Sequence, residues 1–228
     1  MASSVPGFWL ITVSVIAESF PVVAAVARRT RDTGRRWIAV AFGVWFVQDC
    51  ALRLIAQNGR NNHWLIHVGN PVSTVLFLLA YAAWMREPVR RRALHLAAAA
   101  YCVVWAALFL SNENSHTFSQ YTSPLQALVL ILVCAYALMR AVANDPPPVW
   151  RTAVFWVSVG LLLYFGTGLL LAPVSGMLMA TQPSLVMSAY IAKAGLNVVS
   201  YLLVTTGMLC PPRPSSIGAF SLRQAWPS

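Results

Sequence analysis

The sequence predicts an all-α, polytopic membrane protein: a single seven-transmembrane-helix bundle with its N-terminus outside and its C-terminus cytoplasmic. Three observations carry this expectation. The 228 residues are 58% hydrophobic and only 10% charged, whereas a soluble domain carries about 25% charged residues. Seven apolar segments, 8–27, 37–56, 64–85, 94–111, 124–141, 152–172 and 186–209, each approach the roughly 20 residues needed to span a bilayer. Finally, the basic residues alternate sides. Arg28, Arg29, Arg31, Arg35, Arg36, Arg86, Arg90, Arg91, Arg92, Arg140, Arg151, Arg213 and Arg223 all fall on one side of this scheme, and Arg60 alone on the other. That is the positive-inside pattern, and it orients the bundle. The net charge of +10 is therefore read as topogenic, helped by attraction to anionic lipid. A nucleic-acid partner is not expected, because no stacking aromatics are interleaved with these arginines.

Segment one, "FWLITVSVIAESFPVVAAVA", has no basic residues before it and several after it, which suits a retained helix with a translocated N-terminus better than a cleaved signal. It carries Glu18. Segment two follows "RRTRDTGRR" and carries Asp49 and Arg53 as i, i+4 neighbours. Segment three is entered through "HWLIHVGNPVST", where His63, His67, Asn70 and Thr74 recur at i, i+4, i+7 and i+11 on one helical stripe. Segment four contains the alanine run 97–100, a packing feature. Segment five carries no charged residue before Arg140. Segment six offers Tyr164 and Thr167 in "YFGTG", and segment seven aligns Tyr190, Lys193, Asn197 and Tyr201. Lys193 is the only lysine in the chain.

Between these segments the outer loops 111–124 and 172–186 are the long ones, and the proline-rich 143–150 is a stiff inner link. Residues 1–210 are read as one transmembrane domain and 211–228 as a short disordered cytoplasmic tail, since proline and serine replace the apolar pattern there. The four cysteines, Cys50, Cys102, Cys134 and Cys210, are not spaced as a disulfide framework and are read as packing residues. No internal repeat of the secondary-transporter kind is visible.

Ionisable residues inside a membrane are costly and usually face the bundle interior. Glu18, Asp49, Arg53 and Lys193 qualify, and their formal charges cancel. By helix rise, Asp49 and Lys193 each lie about 12 Å below the outer surface and Glu18 about 15 Å. The expected site is a polar pocket in the outer half of the bundle, lined by Glu18, Asp49, Arg53, His67, Asn70, Tyr164, Lys193 and Asn197. Asp49 and Lys193 would form its central ion pair, with Arg53 as gate or second partner. The alternative is interhelical glue, which in membrane proteins averages about 0.6 kcal/mol per hydrogen bond.

Three sharper chemistries fit less well. A retinal Schiff base on Lys193 would call for a carboxylate counter-ion; microbial rhodopsins carry one four residues before the lysine, where this chain has Ala189, and acidic residues in helix three, where it has none. A zinc site on His63 and His67 would need Asp49 or His116 to complete it. Intramembrane hydrolysis would need an activated nucleophile, and Ser188, Ser200 and Thr167 have no base at a recognisable spacing.

Three stretches, "NNHWLIHVGNPVSTVLFLLAY" (61–81), "VFWVSVGLLLYFGTGLLL" (154–171) and "KAGLNVVSYLLVTTGMLC" (193–210), resemble a set of bacterial seven-helix integral membrane proteins. The resemblance rests on Asn61, Asn62 and His67 at the entry to helix three. It continues with Phe155, Trp156, Gly160, Tyr164, Phe165 and Gly168 in helix six, and Asn197 and Tyr201 in helix seven. It implies the seven-helix fold and carries no activity with it. Lys193 is not part of that pattern.

The functional expectation is a non-enzymatic module of the cell's inner membrane. It would bind a small ligand or partner from the outer side in a sensor-like role, with no cofactor identified. Its output would pass to a membrane or cytoplasmic protein partner docking on 28–36 or the tail. The alternative is an accessory structural subunit of a larger membrane complex, and a transporter or intramembrane enzyme is the more distant third.

Overall fold

The computed structural model describes residues 5–113, 119–144, 148–178 and 182–211. Among them it is helical without strands: α1 (Val5–Glu18), α2 (Phe20–Ala27), α3 (Thr33–Gln57), α4 (His63–Trp84), α5 (Pro88–Asn112), α6 (Thr122–Asn144), α7 (Ala153–Leu178) and α8 (Pro183–Leu209), with a single 3-10 turn, Val149–Arg151, before α7. Seven spans are long and apolar enough to cross a bilayer, the first of them, Trp9–Ala27, made from α1 and α2 together. Successive spans reverse direction. One end of the bundle therefore gathers the arginine-rich connections, and the opposite end gathers the turns at 58–62 and the α5–α6 junction.

Local chemistry sets the element ends. Asp32 caps α3 by accepting the Arg35 N–H at 3.0 Å. At the other end of α3 the chain turns through Gly59, whose φ of 66° is a left-handed conformation that costs glycine nothing. The first span is not one helix, as the sequence suggested, but two. Pro21 has no N–H to give, so the carbonyl four residues before it loses its helical partner. The Ser19 N–H and hydroxyl both turn back to the Ile16 carbonyl, at 3.1 and 2.7 Å. The resulting break falls directly after Glu18. In α4, Pro71 is accommodated without a break, and the Asn70 carbonyl accepts the hydroxyls of Ser73 and Thr74 and the Gln126 side-chain amide of α6.

Other predicted boundaries also move. α5 begins at Pro88 rather than near 94, and α3 at Thr33 rather than 37, so Arg35, Arg36 and Arg90 to Arg92 lie within helices. α7 runs on to Leu178, turning much of the loop expected at 172–186 into helix. An apolar window stops at charge. A helix does not need to, because long arginine side chains reach the interface from within it. His116, the middle of the proline-rich link and the tail beyond 211 lie outside the described residues.

The core is aromatic. Phe42, Trp45, Phe77, Phe165 and Tyr201 form a chain of mostly edge-to-face contacts, with Trp45–Phe77 at 5.0 Å and Phe42–Tyr201 at 5.8 Å. Below them the buried Tyr81 hydroxyl joins Ser158 at 3.0 Å and Cys134 at 3.1 Å. α7 and α8 approach closely through glycine. A Cβ on Gly160 would stand 2.7 Å from the Ser200 carbonyl, and one on Gly207 would stand 3.0 Å from that of Ala153. At the arginine-rich end, buried Arg35 grips the end of α8 through the carbonyls of Met208 (3.3 Å), Cys210 (2.7 Å) and Pro211 (3.1 Å). The same burial raises the Cys210 thiol pKa above its ordinary value, against the pull of Arg35 and Arg28. All four cysteines are free.

Candidate functional site: a polarised cavity

Above the aromatic core, toward the end away from the arginines, α1, α3, α4, α6, α7 and α8 surround a cavity of about 260 Å³. Its floor is Trp45 and Phe165, with Tyr164 stacked on Trp45 at 4.9 Å. Its polar groups arrive from separate helices. Glu18 comes from the end of α1, Gln48 and Asp49 from α3, Asn70 from α4, Ser123 and Gln126 from α6, and Tyr190 and Lys193 from α8.

The two sides differ in chemistry. The α1–α3 side presents acceptors. Glu18 is 2% exposed, and its Oε2 has no hydrogen-bond partner among the described residues, nor has the Gln48 side-chain oxygen. Gln48 is seated over Gly69, where any Cβ would collide with its amide. The α8 side presents a cation. The Lys193 ammonium lies 5.7 Å from the centre of the Tyr164 ring and beside Gly168, where a Cβ would be in ordinary contact with Nζ at 3.6 Å.

Of the residues expected at the site, Glu18, Asp49, Asn70, Tyr164 and Lys193 line this cavity. Arg53 stands one turn further along α3, where its guanidinium donates to the Ile11 carbonyl at 2.9 Å. Asn197 is deeper in α8, with its side-chain oxygen buried and lacking a hydrogen-bond partner among the described residues. His67 is turned toward α5. Its ring packs on Phe109 at 5.0 Å, and its Nδ1 lies 3.3 Å from Glu113. The expected ion pair between Asp49 and Lys193 is not formed: no Asp49–Lys193 contact occurs among the ion pairs of the described residues. Matching depth brings the two to one cavity, but depth alone could not reveal whether their side chains meet. Among the described residues no group of three metal-binding side chains occurs around His63 and His67 or elsewhere, and His116 lies outside them.

The sequence reading missed several lining residues. Trp45 is four positions before Asp49 and shares its stripe, so it was accessible to the same rule. Gln48, Ser123 and Gln126 carried no signal. Glu113 was missed as well, and it organises the wall without touching the cavity. It follows α5 and caps the start of α6, accepting the N–H groups of Tyr121 (2.6 Å) and Thr122 (3.0 Å) and the Thr122 hydroxyl (2.7 Å). Burial pushes its carboxyl up, but these hydrogen bonds and nearby His67 outweigh burial and hold its pKa below the ordinary value. Ser119 completes the cap by accepting the Ser123 N–H at 3.0 Å. Ser123, thus placed, receives the Asn70 amide at 2.8 Å, while Gln126 reaches Ser73 at 2.8 Å.

Searches of known family models, curated proteins and solved structures return no match to this chain.

Proposed function

We propose that the chain is a multi-pass module of the inner membrane that binds a small polar ligand in this cavity and relays occupancy along α8. The reading is sensor-like and non-enzymatic, with the cavity opening on the outer side. One observation carries it: Asp49 and Lys193 border the same 260 Å³ space without forming an ion pair. Opposite charges brought this deep for stability alone would be expected in direct contact, because an unpaired charge in low dielectric is costly. Held apart, they suit a ligand of balanced charge, with a donor group toward Glu18, Gln48 and Asp49 and an acceptor toward Lys193. The aromatic floor would favour a cationic ligand group.

The relay follows from the helix carrying Lys193. Its far end is the one gripped by Arg35, fifteen residues or about 22 Å away. A ligand that shifts Lys193 therefore acts on a rigid element anchored at the arginine-rich end. The break after Glu18 gives the wall packed beside α8 a hinge.

The experiment is native mass spectrometry of the full chain extracted gently from its own membrane. A stoichiometric small molecule, absent from a folded Asp49→Asn variant, is the expected result. Co-purifying membrane chains with no small molecule would replace this reading with an assembly subunit. Orientation is tested separately by labelling single cysteines placed at Asn58 and at Arg29 from outside intact cells; labelling at Arg29 alone would reverse the topology.

A further inference from the structure

A second recess lies on the outside of the bundle at the arginine-rich end. It is a groove of about 540 Å³ lined by Thr33 and Trp37 of α3, Leu79 and Ala83 of α4, and Arg91, Arg92 and His95 of α5. Among the described residues no acidic side chain lines it. The two described carboxylates at this end are engaged elsewhere. Glu87 pairs with Arg90 at 2.7 Å and Arg140 at 2.8 Å, while Asp32 caps α3 and receives the Trp84 indole at 3.0 Å. Arg91 and Arg92 therefore have no carboxylate partner among the described residues.

The groove is also graded. α3 and α5 both start at this end, which places Thr33, Arg91 and Arg92 at the level of lipid headgroups. Trp37 follows about one turn deeper, at about 6 Å, and Leu79 at a similar depth on α4. Tryptophan near the interface and apolar residues beneath it match a lipid's headgroup, glycerol and upper acyl chain. α5 also needs such a neighbour. It packs on α4, barely touches α6 and has no substantial contact with α3, and within its 25 residues only Ala98 and Tyr101 are buried.

We propose that this groove binds the phosphate of an anionic phospholipid, which ties α5 to α3. Two guanidinium groups on adjacent residues can hold a phosphate diester through paired N–H donors, a geometry that lysine cannot supply. The acyl chains then run between α3 and α5 over Leu79 and Ala83, filling the space the two helices leave.

The test places the full chain in phosphatidylcholine vesicles with a minor fraction of phosphatidylglycerol. Retained lipid is read by native mass spectrometry, and thermal unfolding is followed in parallel. The wild type is expected to retain one phosphatidylglycerol selectively and to unfold at a higher temperature than in phosphatidylcholine alone. In Arg91→Gln/Arg92→Gln retention should fall roughly thirtyfold, on the scale of the basic-residue contribution at an anionic surface. Arg28→Gln/Arg29→Gln, which removes two charges from the same end but not from the groove, should leave it intact. If the glutamine variant unfolds in phosphatidylcholine, Arg91→Lys/Arg92→Lys takes its place, with reduced selectivity expected. Equal retention in the groove variant, or equal loss in the control pair, would overturn the proposal. Stabilisation by inorganic phosphate in phosphatidylcholine equal to that by phosphatidylglycerol would make the site one for a soluble anion instead. None of these outcomes depends on the cavity having a ligand.

Discussion

Replacing Glu113 with glutamine tests how the cavity wall is held. The carboxylate accepts three hydrogen bonds from the start of α6, between 2.6 and 3.0 Å, in a side chain only 2% exposed. Hydrogen bonds to a charged group contribute about 1.5–3 kcal/mol each. Glutamine keeps one oxygen, which can still accept the two backbone N–H groups, so most of the cap survives without its charge. What changes is the other position, where the Thr122 hydroxyl loses its acceptor and must turn round, and the negative charge beside the His67 ring is gone. A net loss of about 2–3 kcal/mol is therefore expected, equivalent to roughly one such charged bond plus the penalty for the group left unmatched. The pH dependence separates this cause from simple misfit. The folded Glu113 carboxyl is held below its ordinary pKa. Its contribution is thus fully present above the unfolded value, about 4.3, and is lost as pH falls through the lower folded value. Equilibrium unfolding in mixed lipid–detergent micelles should show the gap between wild type and Glu113→Gln closing as pH falls below about 4.3. Because Ser123 follows the cap directly, ligand retention in the cavity should weaken as well. A variant as stable as wild type at neutral pH, or a gap unchanged at low pH, would refute the account of Glu113 as an ionised cap.

Two further perturbations probe the packing and the charges. Gly160→Ala gains up to about 1 kcal/mol of helix propensity. Its methyl group would nevertheless stand 2.7 Å from the Ser200 carbonyl, which is backbone and cannot step aside, so a net destabilisation of about 1–3 kcal/mol is expected; thermal unfolding checks it, and a stabilised variant would mean that α7 and α8 are further apart. For Asp49→Asn and Lys193→Met, a double-mutant cycle should give a coupling well below the roughly 4 kcal/mol of unit charges 4 Å apart near a protein surface, because the two share the cavity without touching; a coupling at or above that figure would restore the direct ion pair.

Much of this protein follows from its sequence, because the bilayer leaves few choices. With no water in the hydrocarbon core, every backbone group must bond within its own segment, so seven apolar stretches become seven helical spans whatever their details. The same logic places Glu18, Asp49 and Lys193 inside the bundle, since charged side chains are too costly to face lipid, and helix rise alone sets them at a common depth. Depth is a one-dimensional coordinate, however. Which way each residue turns about the bundle axis depends on how the helices pack, and that was not legible. Asp49 and Lys193 were expected to meet and instead line one cavity without forming an ion pair. His67 shares a stripe with Asn70 yet turns to α5, where Glu113 waits in a connection with no periodicity to read. The break after Glu18 was in principle visible in the Ser-Phe-Pro run, but a hydropathy window registers apolar length and not a missing N–H. Composition and helix geometry therefore determined the spans and the level of the polar layer. Only the tertiary structure decided its arrangement, because rotation about a helix axis is set by side-chain packing between helices distant in sequence.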